Sequence, residues 1–315
     1  MLIGLHDAEK DYIPWRREKT FPNLALMKIS AYHKKLGDEI VWWKRSAWFD
    51  KIKYDKVYSS KVFSFTEENT YLPKDTIKGG SGYNLFNSLP DEIDNQYPDY
   101  SLYPDIDYAI EFLTRGCVNN CDFCVVPKKG GKIYPYSIVE NIVRQDTDKL
   151  VFLDNNVLAH QHGLNELEKL ANSNYRVDFN QGMDITLVTP ELIEVFKRIK
   201  WISYLRFSCD SKNKIKYFEK LIDYFHKYEL GSKIFIYLLV RNDINDAEYR
   251  VRELFKINKH FHLYAQPERN IGVEVTKEMK EFANRYIYGR LYYNETWEEY
   301  CYRHRYKKLK GLKNE

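Results

Sequence analysis

The chain has 315 residues, 44% of them hydrophobic, enough for one large domain with an appendage, or for two domains, around a sizeable core. Lys and Arg number 49 against 45 Asp and Glu, so the net charge of +4 is a weak global bias, while the 27 tyrosines are an unusual store of aromatic surface. No apolar run approaches the roughly 18 residues of a membrane span, and the N-terminal Met1 to Leu5 soon meets charge, so neither a membrane anchor nor a signal peptide is expected and the default compartment is the cytoplasm.

Residues 1–105 read as a small α/β domain. Met1 to His6 suits a buried strand. From Asn23, an N-cap after Pro22, the residues Ala25, Ile29, Tyr32 and Leu36 recur at helical spacing, and Gly37 supplies the stop. Glu39 to Trp43 and Lys56 to Phe65 have the β-branched and aromatic content of strands. Short β-α-β links imply a parallel, Rossmann-like sheet. Gly79-Gly80-Ser81-Gly82 reads as a turn or as a place where backbone amides approach a ligand, without matching G-x-G-x-x-G. Residues 83–105, rich in Asn, Asp, Pro and Tyr, read as a linker or lid anchored by Leu85, Phe86 and Leu89.

A short apolar run, Ile110 to Leu113, then leads into Thr114-Arg115-Gly116-Cys117-Val118-Asn119-Asn120-Cys121-Asp122-Phe123-Cys124. Three cysteines at C-x3-C-x2-C spacing can reach one compact inorganic centre. A disulfide framework does not account for them, since three is odd and Cys209 and Cys301 lie far away. A structural zinc site needs a fourth ligand, which would be Cys209, His160 or His162. A [4Fe-4S] cube on three thiolates keeps one iron open for another ligand.

From 106 to 270 apolar strands alternate with helical runs at roughly thirty-residue intervals, the length of a βα unit. The expected strands are Ala109 to Thr114, Lys149 to Asp154, Arg176 to Asn180, Ser203 to Cys209, Ile234 to Val240 and His262 to Gln266. Leu164, Leu167 and Leu170, then Leu192, Ile193, Val195 and Phe196, then Phe218, Leu221, Ile222 and Phe225 mark the helices between them. Six units give an incomplete (β/α)6 barrel. Ligands in parallel α/β folds gather at the carboxyl ends of strands. The residues at those ends are Asp154-Asn155-Asn156, Asn180-Gln181, Arg206, Ser208 and Asp210, Arg241, and Gln266; the first group also reads as helix caps.

The cysteine spacing with Phe123 before the third cysteine resembles the signature of the radical S-adenosylmethionine (SAM) family. That resemblance implies a [4Fe-4S] cluster on Cys117, Cys121 and Cys124, and SAM bound at the open iron and cleaved reductively to a 5'-deoxyadenosyl radical. It also implies an external flavodoxin- or ferredoxin-like electron donor. It assigns methionine contact to Asp154 and Asn155, ribose and carboxylate contacts to Asn180, Gln181, Arg206 and Ser208, and packing near adenine to Phe123. The N-terminal domain is similar to the cobalamin-binding-like domain of some members and to methylthiotransferases. The D-x-H-x-x-G motif whose histidine ligates cobalt is absent, so cobalamin is not expected. The substrate is not legible.

Residues 271–315 read as a helical, basic segment. Val275, Met279, Phe282 and Tyr286 share one helix face, and Tyr300, Tyr302, Arg303, His304, Arg305, Tyr306, Lys307, Lys308, Lys310 and Lys313 form a basic, aromatic end. Such an end reads as a solvated tail or as a nucleic-acid contact. The alternative function is a non-catalytic, metal-bound nucleic-acid-binding module.

Overall fold

The apolar N-terminal run forms β1 (Leu2–Asp7), buried from Ile3 onward, and leads into the short α1 (Ala8–Tyr12). The Asn23 side chain accepts from Leu26 N at 3.2 Å and caps α2 (Leu24–Lys35), which buries Leu26, Met27 and Ile29. Gly37, at φ +82°, lets the chain leave the helix. β2 (Glu39–Trp42) and β3 (Lys56–Ser60) pair in parallel on either side of β1, and β4 (Ile77–Gly79) adds in parallel to β3, so the order is β2-β1-β3-β4. β3 is shorter than the strand expected over 56–65. After Ser60 the amides of Val62 and Phe63 donate to the Glu9 carboxylate at 3.0 to 3.2 Å, and an N–H engaged by a side chain cannot extend a ladder.

The structure is a computed structural model that describes residues 1–12, 21–45, 52–269, 273–285 and 295–309. The chain divides into two compact units. The first comprises Met1–Phe112, Gly116–Lys132 and Tyr136–Val151, and the second Leu113–Arg115, Ile133–Pro135 and the chain from Phe152. In the first, residues 83–105 carry α3 (Asp91–Asp94) and bury Ile93, Leu102 and Tyr103, whereas Phe86, an expected anchor, is 77% exposed. The buried Lys28 of α2 donates to Asp94 O (2.6 Å) and Tyr136 Oη (2.7 Å) and pairs with Glu111 of β5 (Ala109–Glu111) at 2.7 Å. All three ammonium protons thus have acceptors, which is what makes a buried lysine tolerable.

In the second unit β6 (Thr114–Arg115) pairs antiparallel with β7 (Tyr134–Pro135). The chain between them belongs to the first unit and includes α4 (Val126–Lys129). β8 (Lys149–Phe152) ends where the second unit resumes. There follow α5 (Gln161–Ala171), β9 (Arg176–Phe179), β10 (Met183–Asp184), α6 (Pro190–Arg198), β11 (Lys200–Trp201), β12 (Leu205–Ser208), α7 (Ile215–Lys227), β13 (Ile234–Val240), α8 (Ile244–Ile257) and β14 (His262–Pro267). β10, β12, β13 and β14 form one parallel sheet in that order, and β9 pairs in parallel with β11. Leu167 and Leu170, Ile193 and Phe196, and Phe218, Leu221 and Phe225 are the buried faces of α5, α6 and α7. The fold is therefore mixed α/β with parallel sheets.

α9 (Lys277–Arg285) buries Met279 and Phe282, and α10 (Trp297–Leu309) starts on the buried Trp297. Tyr286, Lys310 and Lys313 lie outside the described residues, as do the side chains of Arg305, Tyr306, Lys307 and Lys308. No helix among the described residues is long and apolar enough to cross a membrane.

Candidate metal centre

The cysteine segment is pinched at its base. Cys117 N donates to Gly131 O at 3.2 Å, and Gly116 stands at φ +85°, where a Cβ would fall 2.5 Å from Lys132 O. Glycine is thus what lets the outgoing and returning chains approach so closely. Inside the loop Cys124 N donates to Cys121 O at 3.1 Å. Asn119 N is directed at Cys117 Sγ (3.4 Å) and Val126 N at Cys124 Sγ (3.5 Å). Amides aimed at sulfur tune a metal bound to it. Lys129 of α4 donates to Ser81 Oγ at 2.6 Å, tying the loop to the glycine turn after β4.

Cys117, Cys121 and Cys124 are half-exposed, as is Phe123, and none of the five cysteines is in a disulfide. Three accessible soft donors on one short loop fit an iron-sulfur cluster by their chemistry. Among the described residues no three His, Cys, Asp or Glu side chains stand in a geometry that holds a metal ion, so the fit rests on the donors and the loop rather than on a ready cage. Of the residues named as a fourth zinc ligand, Cys209 is fully buried with its thiol pushed up to about 12 by burial, and His160 caps α5 by accepting from His162 N at 3.0 Å.

The strand-end residues of the second unit fall into three sets. Asp154, 2% exposed, accepts from Leu113 N at 2.9 Å on Oδ2, and from Thr114 N at 2.6 Å and Thr114 Oγ1 at 2.7 Å on Oδ1. It is no helix cap, and its acceptors face the strand that runs into the cysteine segment. Asn155 beside it is half-exposed.

Asn180 N donates to Phe152 O at 3.0 Å, and its carbonyl accepts from Tyr237 Oη at 2.8 Å. Arg206 is held bidentately by Asp178 (2.6 and 2.9 Å) and reaches Tyr237 Oη with its remaining nitrogen at 3.5 Å. Burial raises the Tyr237 phenol above its ordinary value, so it stays a neutral bridge between the two. Gly182, at φ +81°, lies under that ring, and Gln181 is exposed.

Ser208 belongs to the third set, with Oγ accepting from Lys214 Nζ at 2.9 Å, and Lys214 also meets Asp210 (3.0 Å) and Asp184 (3.5 Å). Burial pulls the Lys214 ammonium down, but the two carboxylates hold it above its usual value. Arg241 pairs with Glu268 at 2.9 Å.

Asp178, Lys214 and Tyr237 were not among the residues singled out from the sequence, and Thr114 figured there only as the start of the cysteine segment and the end of a strand. Asp178 left a usable signal, a charge between Val177 and Phe179 in a buried strand, which must find a partner. No protein-family model matches the chain, and no curated protein sequence matches it significantly.

Proposed function

We propose that the chain is an iron-sulfur enzyme of the radical SAM type, with Cys117, Cys121 and Cys124 holding a [4Fe-4S] cluster. The observation that carries the proposal is the C-x3-C-x2-C spacing on a glycine-pinched loop whose amides point at two of its sulfurs. The incomplete (β/α)6 barrel belongs to the same proposal. Its support is the run of βα repeats, of which β12, β13 and β14 pair in parallel in chain order. A cluster held by Cys117, Cys121 and Cys124 would supply one-electron reducing chemistry for cleavage of SAM, and the substrate would give up hydrogen.

The chain's own residues position and exclude. Asp154 is a positioning residue, since its carboxylate already accepts three hydrogen bonds from the strand ahead of the loop. Asn155 and Gln181, with accessible amides, are the better SAM contacts, while Arg206 and Ser208 act from positions held by Asp178 and Lys214. Phe123, on the loop itself, offers a ring to the adenine. An external electron donor completes the system.

The test is anaerobic reconstitution of the full chain with iron and sulfide, followed by reduction and addition of SAM. Slow release of 5'-deoxyadenosine and methionine is expected, rising with iron content. A reduced, fully loaded protein that yields no 5'-deoxyadenosine overturns the proposal, and a colourless protein that retains zinc in place of iron points to the metal-bound nucleic-acid module.

A further inference from the structure

Among the described residues of the first unit two lysines are buried, and they are treated differently. Lys28 has acceptors for all three ammonium protons. Lys61 is 7% exposed because its stem is buried, while its Nζ reaches solvent; among the described residues the ammonium has no ion pair and no hydrogen-bond acceptor, and its contact is the face of the Tyr83 ring, 4.7 Å from the centroid. The ammonium is thus placed over an aromatic face, with solvent rather than the protein to accept its hydrogen bonds.

The position of Lys61 matters as much as its lack of a partner. It directly follows the last residue of β3, at the carboxyl edge of the parallel β2-β1-β3-β4 sheet, the edge where such sheets take ligands. The glycine turn after β4 wraps it. A Cβ on Gly80 would fall 2.4 Å from Lys61 O, and one on Gly82 would fall 2.7 Å from Lys61 Cγ, so the turn closes on the lysine with no side chain of its own in the way. Beside it runs a chain of proton-bearing groups, His6 Nδ1 to Ser59 Oγ at 2.8 Å and Ser59 Oγ to Tyr83 Oη at 2.8 Å. Two acidic side chains of this unit are otherwise engaged. Glu68 is paired with Lys78, although Lys61 is near enough to help hold its carboxyl below the ordinary value, and Glu9 accepts from Val62 N, Phe63 N and Thr66 Oγ1.

We propose that this edge is an anion site, in which the Lys61 ammonium anchors a phosphate-bearing small molecule and Tyr83 donates to it. A compact dianion supplies the acceptors the ammonium lacks, and a charge-assisted hydrogen bond is roughly twice as strong as a neutral one. The site is independent of the cysteine loop's metal, so it stands or falls separately from the enzyme proposal.

Inorganic phosphate is the probe, added to the full chain without iron reconstitution. Saturable binding is expected by calorimetry, weakened at least tenfold in Lys61→Gln and unchanged in Lys56→Gln, at the other end of the same strand. A second measurement does not depend on how the variant folds. Limited acylation of the unaltered protein, mapped by peptide mass spectrometry, should show phosphate protecting Lys61 and not Lys56. Absence of saturable binding, equal binding by Lys61→Gln, or no selective protection of Lys61 overturns the proposal.

Discussion

Thr114 is tied to Asp154 twice, through its amide at 2.6 Å and its hydroxyl at 2.7 Å, both to the same carboxylate oxygen. With Leu113 N on the other oxygen, a single buried aspartate holds the strand that runs directly into the cysteine segment. A residue whose sequence position marked it for a ligand is thus engaged by backbone.

Replacing Asp154 by Ala leaves three buried donors without acceptors, at about 1–3 kcal/mol each. Asp154→Ala is expected to lower unfolding stability by roughly 3–5 kcal/mol in urea titration. Asp154→Asn should cost less, because its oxygen still accepts from Thr114 while its amide nitrogen faces the Leu113 N–H. A loss below about 1 kcal/mol for Asp154→Ala contradicts the clamp.

Burial pushes the Asp154 carboxyl up to about 6, whereas in an unfolded chain it titrates near about 4. The folded protein therefore holds this proton more tightly. Stability contributed by the group is fully present at and below about pH 4, falls as pH rises through about 6, and is flat above, with a total change of at most roughly 3 kcal/mol. The difference in unfolding free energy between the unaltered protein and Asp154→Asn should carry this slope between pH 4 and 6. A difference independent of pH over that interval means the group titrates as an ordinary aspartate.

Iron retention separates the cysteines. Cys117→Ala, Cys121→Ala and Cys124→Ala should each lose the reconstituted cluster, and Cys209→Ala and Cys301→Ala should keep it. Gly116→Ala belongs with the first group in direction, because a Cβ 2.5 Å from Lys132 O forces the base of the loop apart. Loss of iron in Cys209→Ala breaks the three-ligand assignment.

Thiol reactivity should sort the same residues. The thiolate is the reactive form, and burial pushes the Cys209 thiol up to about 12. In the native, metal-free protein iodoacetamide should label the three loop cysteines while Cys209 stays unlabelled until the protein is unfolded. Native labelling of Cys209 at the loop's rate excludes the buried position.

Arg206 and Asp178 form a bidentate pair, both largely removed from solvent. Arg206→Lys cannot reproduce two parallel hydrogen bonds and should cost about 1–3 kcal/mol. Asp178→Ala should cost about 3–5 kcal/mol because it strands a guanidinium. In a double-mutant cycle the pair should show a coupling of at least about 1 kcal/mol; additive effects mean the two do not interact.

Hydrophobic periodicity and cap chemistry are local, which is why so many elements were legible. Asn23 and Gly37 bracket α2, Ile234 to Val240 is β13 residue for residue, and β9, β12 and β14 lie within a residue or two of their expected ends. The two-residue strands β10 and β11 left no such pattern, being shorter than a period-2 signal needs. β3 ended early because Glu9, 53 residues upstream of Val62, takes the amides that would have continued it.

By itself the sequence determined the α/β class of the fold, the parallel sense of its sheets and the spacing of three thiols, because each depends on neighbours along the chain. What each polar side chain does was decided by tertiary structure. Asp154 meets Thr114 across 40 residues, Arg206 meets Asp178 across 28, and Lys28 finds Tyr136 across 108 while Lys61 finds no acceptor among the described residues. A charge is satisfied by whatever the fold brings within about 3 Å of it, and chain-local patterns do not carry that distance.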